Sequence, residues 1–341
     1  MDKKDIRILE LLSVNCRYSI KDIARATLLS KDAVKYRINN LIKNQLIYKF
    51  LTLINFSAFG YDQYYINIQL QNISPKKEQL IIAKLTKNPN IFFLVKTSGR
   101  WDFFLGMTCK NVQQFDKTLR KVYEILGQNL ADSESVVWLK DYKYTHTIEG
   151  IKLNTKLNYK NRDPSFSKEL FSKKKEFKIR KISLKEKDLE ILKHFSENPR
   201  IELKALGQKV KLTGEAARYR IKNLIEKEII LGFTAVPNFF NLGYQTHFLL
   251  IQAKNLTTEN EKLLEKFLQE KDYTIISFKT IGKFDILISL SVKDLNEFDL
   301  ALTEIRNKLS PIIKTYETMP ILAWYKYTLF PETLYKTAEK F

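Results

Sequence analysis

Two short stretches of this chain hold the side chains best suited to read a polyanion. In the first, Lys31, Lys35, Tyr36, Arg37 and Asn39 fall away from the stripe of Val34, Ile38, Leu41 and Ile42, so an amphipathic helix would turn them outward. The second holds Arg218, Tyr219, Arg220 and Lys222, against an inward stripe of Ala217, Ile221, Leu224 and Ile225. Cations on such a face neutralise phosphates, whereas an asparagine can bond both polar atoms of an adenine edge. Asn39 therefore suits adenine, Lys35 suits guanine or phosphate, and Arg37, at the edge of the stripe, suits the nucleic-acid backbone. Tyr36 and Tyr219 fit packing as well as contact, and Asp32 and Glu215 stand where a carboxylate favours the helix dipole. The two sets differ in composition, which predicts an asymmetric two-part site rather than a palindrome.

Catalytic chemistry finds little support. His146, His194 and His247 are scattered, no glycine-rich phosphate loop occurs, and no Cys/His cluster has metal-ligand spacing. Cys16 and Cys109 suggest neither a disulfide framework nor a thiolate site and are expected to be small buried apolar groups. No catalytic residue, metal or cofactor is expected.

The outward faces need helices to carry them, and the chain supplies these twice. Asp5 to Tyr144 recurs as Asp188 to Tyr327 at one constant offset, matching Arg17 with Arg200, Tyr36-Arg37-Ile38 with Tyr219-Arg220-Ile221 and Gly60-Tyr61 with Gly243-Tyr244. Tyr142-Lys143-Tyr144 likewise matches Tyr325-Lys326-Tyr327. The period far exceeds the ~20–50 residues of stacked solenoid units, so each copy is expected to hold complete domains. Ile8, Leu11 and Leu12 mark one helix, Ile20, Ile23 and Ala24 a second after Ser19, and Ser30 caps a third. The last two, joined by a short turn, form a helix-turn-helix, whose second helix lies in the major groove of DNA. Residues 47–55 then read as a short extended connector. Alternating apolar runs at 63–71, 91–98, 102–108 and 134–144, with helical segments from Pro75 to about 88 and at 112–126, give the order βαββαβ, and copy two repeats it.

The fold class is therefore α+β: two copies of a helix-turn-helix domain followed by a ferredoxin-like βαββαβ domain. The expected boundaries are 1–50 and 51–150 for copy one, 151–181 for a basic linker, 182–233 and 234–330 for copy two, and 331–341 for a tail. A length of 341 residues with 44% hydrophobic content supports two to four domains with cores of their own. No apolar run nears the ~20 residues of a membrane span and the first residues do not resemble a signal peptide, so a cytoplasmic location is expected. The net charge of +20 is concentrated in the first third of each copy and in the linker, which favours a polyanion-facing surface over a compositional bias spread evenly. Lys173-Lys174-Lys175 could add phosphate contacts or form part of a solvated segment.

Each copy resembles a member of the leucine-responsive regulatory protein (Lrp/AsnC) family. The resemblance rests on an opening D-x-x-I, completed as D-x-x-I-x-x-L in the first copy, the pattern L-S/T-x-x-A-x-x-Y-R-I-x-x-L, the F-x-x-x-G-Y turn and a later G-x-x-D, in order and twice. It implies that the helix-turn-helix is winged-type with double-stranded DNA as partner, a ferredoxin-like domain that dimerises and takes an amino-acid effector, and hence an internal pseudo-dimer, with a higher homo-oligomer left open. The G-x-x-D loops, Gly99, Arg100 and Asp102 with Gly282, Lys283 and Asp285, are the candidate effector site: a cation for an α-carboxylate and an aspartate for an α-amino group. The plainer reading of those loops is a tight turn whose glycine allows positive φ and whose aspartate caps backbone amides. Where the family has a glycine after the recognition helix, this chain has Asn44-Gln45 and Lys227-Glu228; asparagine tolerates left-handed backbone, so the second helix end is expected to differ. Sirohaem decarboxylases resemble this family in fold, but would need basic and histidine side chains around a tetrapyrrole pocket. The remaining readings are an architectural DNA-coating protein and a ligand-sensing module without DNA binding.

Overall fold

The computed structural model describes residues 1–146 and 184–330, with Leu334 beyond them. The expected linker at 151–181 and, Leu334 apart, the tail at 331–341 lie outside the described residues.

Polar caps fix the first helices. Asp2 accepts the Lys4 and Asp5 amides to start α1 (Lys3–Val14), Ser19 starts α2 (Ile20–Thr27), and Ser30 starts α3 (Lys31–Lys43). Their core of Ile8, Leu12, Ile23, Val34 and Ile38 is buried. Ile42, assigned to the inward stripe, is instead 45% exposed, whereas its counterpart Ile225 is buried. The stripe of the first recognition helix therefore ends at Leu41.

Copy one continues with β1 (Ile47–Ile54), β2 (Asp62–Leu70), α4 (Pro75–Lys87), β3 (Ile91–Thr97), β4 (Phe103–Cys109), α5 (Val112–Leu126) and β5 (Leu130–Tyr144). Copy two rebuilds this as α6 (Glu186–Glu197), α7 (Leu203–Lys209), α8 (Gly214–Glu226), β6 (Ile230–Pro237), β7 (Gln245–Ala253), α9 (Thr258–Glu270), β8 (Thr274–Gly282), β9 (Ile286–Val292), α10 (Leu295–Lys308) and β10 (Ile313–Tyr327). The residues read as an extended connector are thus a strand. Its partner is the same segment of the other copy, since β1 pairs antiparallel with β6 and matched Leu51 and Thr234 stand opposite each other.

The eight remaining strands close one barrel in the order β10-β3-β4-β2-β5-β8-β9-β7. Four strands come from each copy, and the copies join edge to edge at β5/β8 and β10/β3, so none of these four edges is left unpaired. The two seams are equivalent: Trp138 opposite Thr280 at one is matched by Ile321 opposite Thr97 at the other. On the pseudo-twofold axis the hydroxyls of matched Tyr144 and Tyr327 hydrogen-bond to each other. Helices α4 and α5 cover the outside of one half through Ile81, Leu85 and Val122, and α9 and α10 cover the other through Leu264, Leu268 and Ile305. Among the described residues no helix is long and apolar enough to cross a membrane.

The repeated Tyr-Lys-Tyr motif serves this junction. Lys143 donates to the Leu268 and Lys271 carbonyls where α9 of the other copy ends, and Lys326 donates to those of Thr86 and Asn88 where α4 ends. Burial pushes the Lys143 ammonium down to about 8. Arg17 and Arg200 bridge the copies similarly: Arg17 donates to the Pro199 and Ile201 carbonyls, and Arg200 to that of Cys16. Both cysteines are buried and free.

His146 has no histidine counterpart; the matched residue is Leu329. It is buried 3.5 Å from both Tyr327 Oη and Thr234 Oγ1, and burial pulls its pKa down to about 3. Between that value and the ~6.5 of an unfolded histidine the unfolded chain binds the extra proton, so stability falls as pH drops through this window. The contribution at pH 5 is about 2 kcal/mol. His146→Leu should flatten the acid limb of a Tm against pH curve between pH 6.5 and 4; an unchanged limb would place the acid sensitivity elsewhere.

Candidate nucleic-acid interface

The recognition helices α3 and α8 start at matched hydroxyls: Ser30 Oγ accepts the Ala33 amide and Thr213 Oγ1 the Ala216 amide, each at 3.1 Å. The turns ahead of them each pass through a left-handed residue, Leu28 (φ 55°) and Lys211 (φ 54°). Both helices also end alike. Gln45 (φ 52°) and Glu228 (φ 59°) take the left-handed position after regular Asn44 and Lys227. The expected difference between the two helix ends is therefore absent, because the backbone path into the β1/β6 ribbon fixes φ in both copies whatever the side chain.

Lys31, Lys35 and Asn39 are exposed on α3, and Lys222 is exposed on α8. Tyr36 and Tyr219 are 68% and 67% exposed, so neither ring is held by packing. Arg218 is partly exposed, 4.0 Å from Glu215, and Lys222 lies 3.7 Å from Glu226. The α8 face thus carries acids among its cations.

Arg37 and Arg220 do different work. Arg37 Nη1 donates to Asp2 and Asp5 at 2.7 Å each, and Arg220 Nη1 to Asp188 at 2.8 Å, tying each recognition helix to the first helix of its unit. Asp5 and Asp2 hold the Arg37 guanidinium above its usual pKa. In turn the Asp5 amide, followed by Arg37, holds the Asp2 carboxyl below its own. Arg220→Ala is expected to cost about 1 kcal/mol, read as a Tm lowered by a few degrees. A Tm within error of the parent would remove the clamp role.

The G-x-x-D loops meet at the seams of the barrel. Gly99 (φ 101°) and Gly282 (φ 147°) have positive φ, and a Cβ on Gly282 would fall 2.8 Å from Val136 Cγ1. Asp102 accepts the Leu70 amide at 2.6 Å and Asp285 the Ala253 amide at 2.7 Å. Arg100 lies 3.2 Å from Asp132 and Glu134 and 3.1 Å from Glu317 of the other copy. Lys283 pairs with the same Glu134 and lies 3.6 Å from Glu317. Glu134 and Glu317 are matched positions, so the two loops converge on one charge cluster.

The sequence reading missed Arg17, Arg200, Lys143 and Lys326 as functional contacts between copies. Their identity at matched positions was the available signal; it did not say which copy each would touch.

A profile described as an AsnC-type helix-turn-helix domain matches residues 1–42, and one described as winged helix-turn-helix DNA-binding matches residues 184–230. The chain is 28% identical over 149 residues to an uncharacterized HTH-type transcriptional regulator of Pyrococcus horikoshii, covering 43% of this chain and 93% of that protein. It is 31% identical over 130 residues to HTH-type transcriptional regulator Ptr1 of Methanocaldococcus jannaschii, covering 38% and 86% respectively. One regulator thus corresponds to less than half of this chain. A solved structure named as the siroheme decarboxylase NirDL shares the fold over 99% of this chain and 98% of its own, with a TM-score of 0.60 and 10% identity.

Proposed function

This chain belongs to the Lrp/AsnC family of helix-turn-helix transcription regulators, and on that premise we propose that it is a sequence-preferring regulator of transcription whose two helix-turn-helix units act as an internal pseudo-dimer on double-stranded DNA. The observation that carries this reading is the ribbon: β1 and β6 pair about matched residues, so one rigid element links the two units. In this reading Lys31, Lys35, Tyr36 and Asn39 read one half-site, and Arg218, Tyr219 and Lys222 read a different one. Arg37 and Arg220, engaged with aspartates, use their remaining N–H groups on phosphates.

An amino-acid effector fits the reading at the G-x-x-D cluster only by exchange. Its α-carboxylate would take the place of Glu134 or Glu317 at Arg100 or Lys283, and Asp102 or Asp285 would release a backbone amide to meet the amino group.

The likeness to a siroheme decarboxylase favours a second, enzymatic reading on fold alone. Chemistry weighs against it in the barrel cavity, whose lining among the described residues includes no Lys, Arg or His and whose volume is about 100 Å³, well under the ~300–1,000 Å³ of a drug-sized ligand pocket. A polycarboxylated tetrapyrrole needs both cations and room.

The test is retention of fragmented genomic DNA by the full chain at near-physiological salt, followed by sequencing. Enrichment of a few promoter fragments sharing an asymmetric two-part site is expected. Uniform retention would mean an architectural role, and no retention would mean a sensing module.

A further inference from the structure

Inside the barrel, bounded at one end by β1 and by Leu231 of β6, lies a cavity of about 100 Å³. Its walls are aromatic. Phe93 stands nearly perpendicular to Trp324 at 5.5 Å and to Tyr327 at 5.6 Å, and Tyr65 and Trp138 line the same space. Apart from tyrosine hydroxyls, the lining among the described residues holds one ionisable group, Asp141. Its Oδ1 accepts the Trp138 Nε1–H at 2.9 Å, and among the described residues no cationic side chain pairs with it.

The asymmetry between copies sharpens the point. The position matched to Asp141 is Trp324, so the pseudo-twofold brings one carboxylate and one indole to corresponding places in the same cavity. A carboxylate set among apolar rings without a counter-charge is costly. Burial pushes its pKa up to about 6, which still leaves it ionised at neutral pH.

The chemistry of the walls selects the occupant. An anion would be repelled by Asp141, and a neutral apolar molecule would leave it unpaired. A hard metal ion needs six or more oxygens at short range, whereas most of this lining is ring and aliphatic carbon. An organic cation gains from both features, since its charge meets the carboxylate and its alkyl surface meets the ring faces. A cavity of about 150 Å³ accepts benzene, so this one, about two-thirds as large, suits roughly four or five non-hydrogen atoms, the size of a methylated ammonium head.

We propose that the barrel cavity is a binding site for one small organic ammonium ion, with Asp141 as its counter-ion and Phe93, Trp324 and Tyr327 as its walls. The site lies apart from the G-x-x-D loops and does not depend on the DNA reading.

The test uses the full chain titrated with choline, tetramethylammonium and the uncharged choline isostere 3,3-dimethylbutan-1-ol. Constant ionic strength is kept with sodium chloride, and calorimetry is read alongside tryptophan fluorescence. Choline or tetramethylammonium should bind saturably at one per chain, at least tenfold more tightly than the isostere. Asp141→Asn, which keeps an acceptor for Trp138, should abolish that preference while the Tm is retained. Trp324→Phe, a milder change, should weaken choline several-fold. The proposal is overturned by no saturable binding of either cation up to 50 mM, by an isostere that binds as well as choline, or by a preference that survives in folded Asp141→Asn.

Discussion

Residues 1–146 and 184–330, produced as separate chains, are expected to lose at least about a hundredfold in DNA affinity relative to the intact protein. On the proposed pseudo-dimer the first unit to bind would hold the second close to its half-site, and that advantage, typically 10²–10⁴-fold, vanishes on separation. The structure adds a folding penalty. Each half would expose the edges of two barrel strands, β3 and β5 in copy one and β8 and β10 in copy two, and would lose its side of the ribbon. Unpaired strand edges promote association. Copy one alone should therefore self-associate, reusing the matched register in which its β5 takes the place of β10 beside a second β3. Light scattering with filter binding would read both effects. A half that stays a folded monomer and binds as tightly as the full chain would end the pseudo-dimer reading.

The second large effect is expected at the recognition helices. Lys35→Ala and Arg218→Ala should each reduce affinity about five- to a hundredfold, as loss of a base-edge or phosphate contact does, and together should act additively because they sit on different half-sites. The two kinds of contact are separable. If Lys35 meets phosphate, its loss lowers the slope of log affinity against log salt by about 1 and leaves sequence preference intact; if it meets guanine, preference relaxes at one position. Tyr36→Ala and Tyr219→Ala should leave the Tm unchanged, since both rings are two-thirds exposed. Unchanged affinity for the Lys35/Arg218 double variant at moderate salt would sink the interface assignment.

Helix positions, caps and the two βαββαβ units were legible because they rest on local rules. Ser30 and Thr213 could be named as caps from residue type and neighbours alone, and the strands of each copy followed from alternation and glycine turns. Ile42 was not legible. Periodicity gives it a place in the stripe, but burial depends on what stands opposite, and in copy one nearly half of it stays open to solvent. The helix ends were misread for a related reason: propensity favoured Asn44 for the left-handed turn, whereas the chain path demanded it one residue later in both copies.

That two equivalent units exist, and which face of each recognition helix turns outward, can be read along the chain, because repetition and periodicity are properties of the chain. How the copies meet is set by packing between distant segments. Strand-edge pairing is non-local, so nothing within β5 announces that its partner is β8 rather than another copy-one strand. The same holds for side chains that reach across: Lys143 and Lys326 cap helices of the opposite copy, Arg100 and Lys283 share carboxylates at the seams, and Asp141 faces rings drawn from both copies. Each of these depends on a distance between residues far apart in the chain, and that distance is set only when the barrel closes.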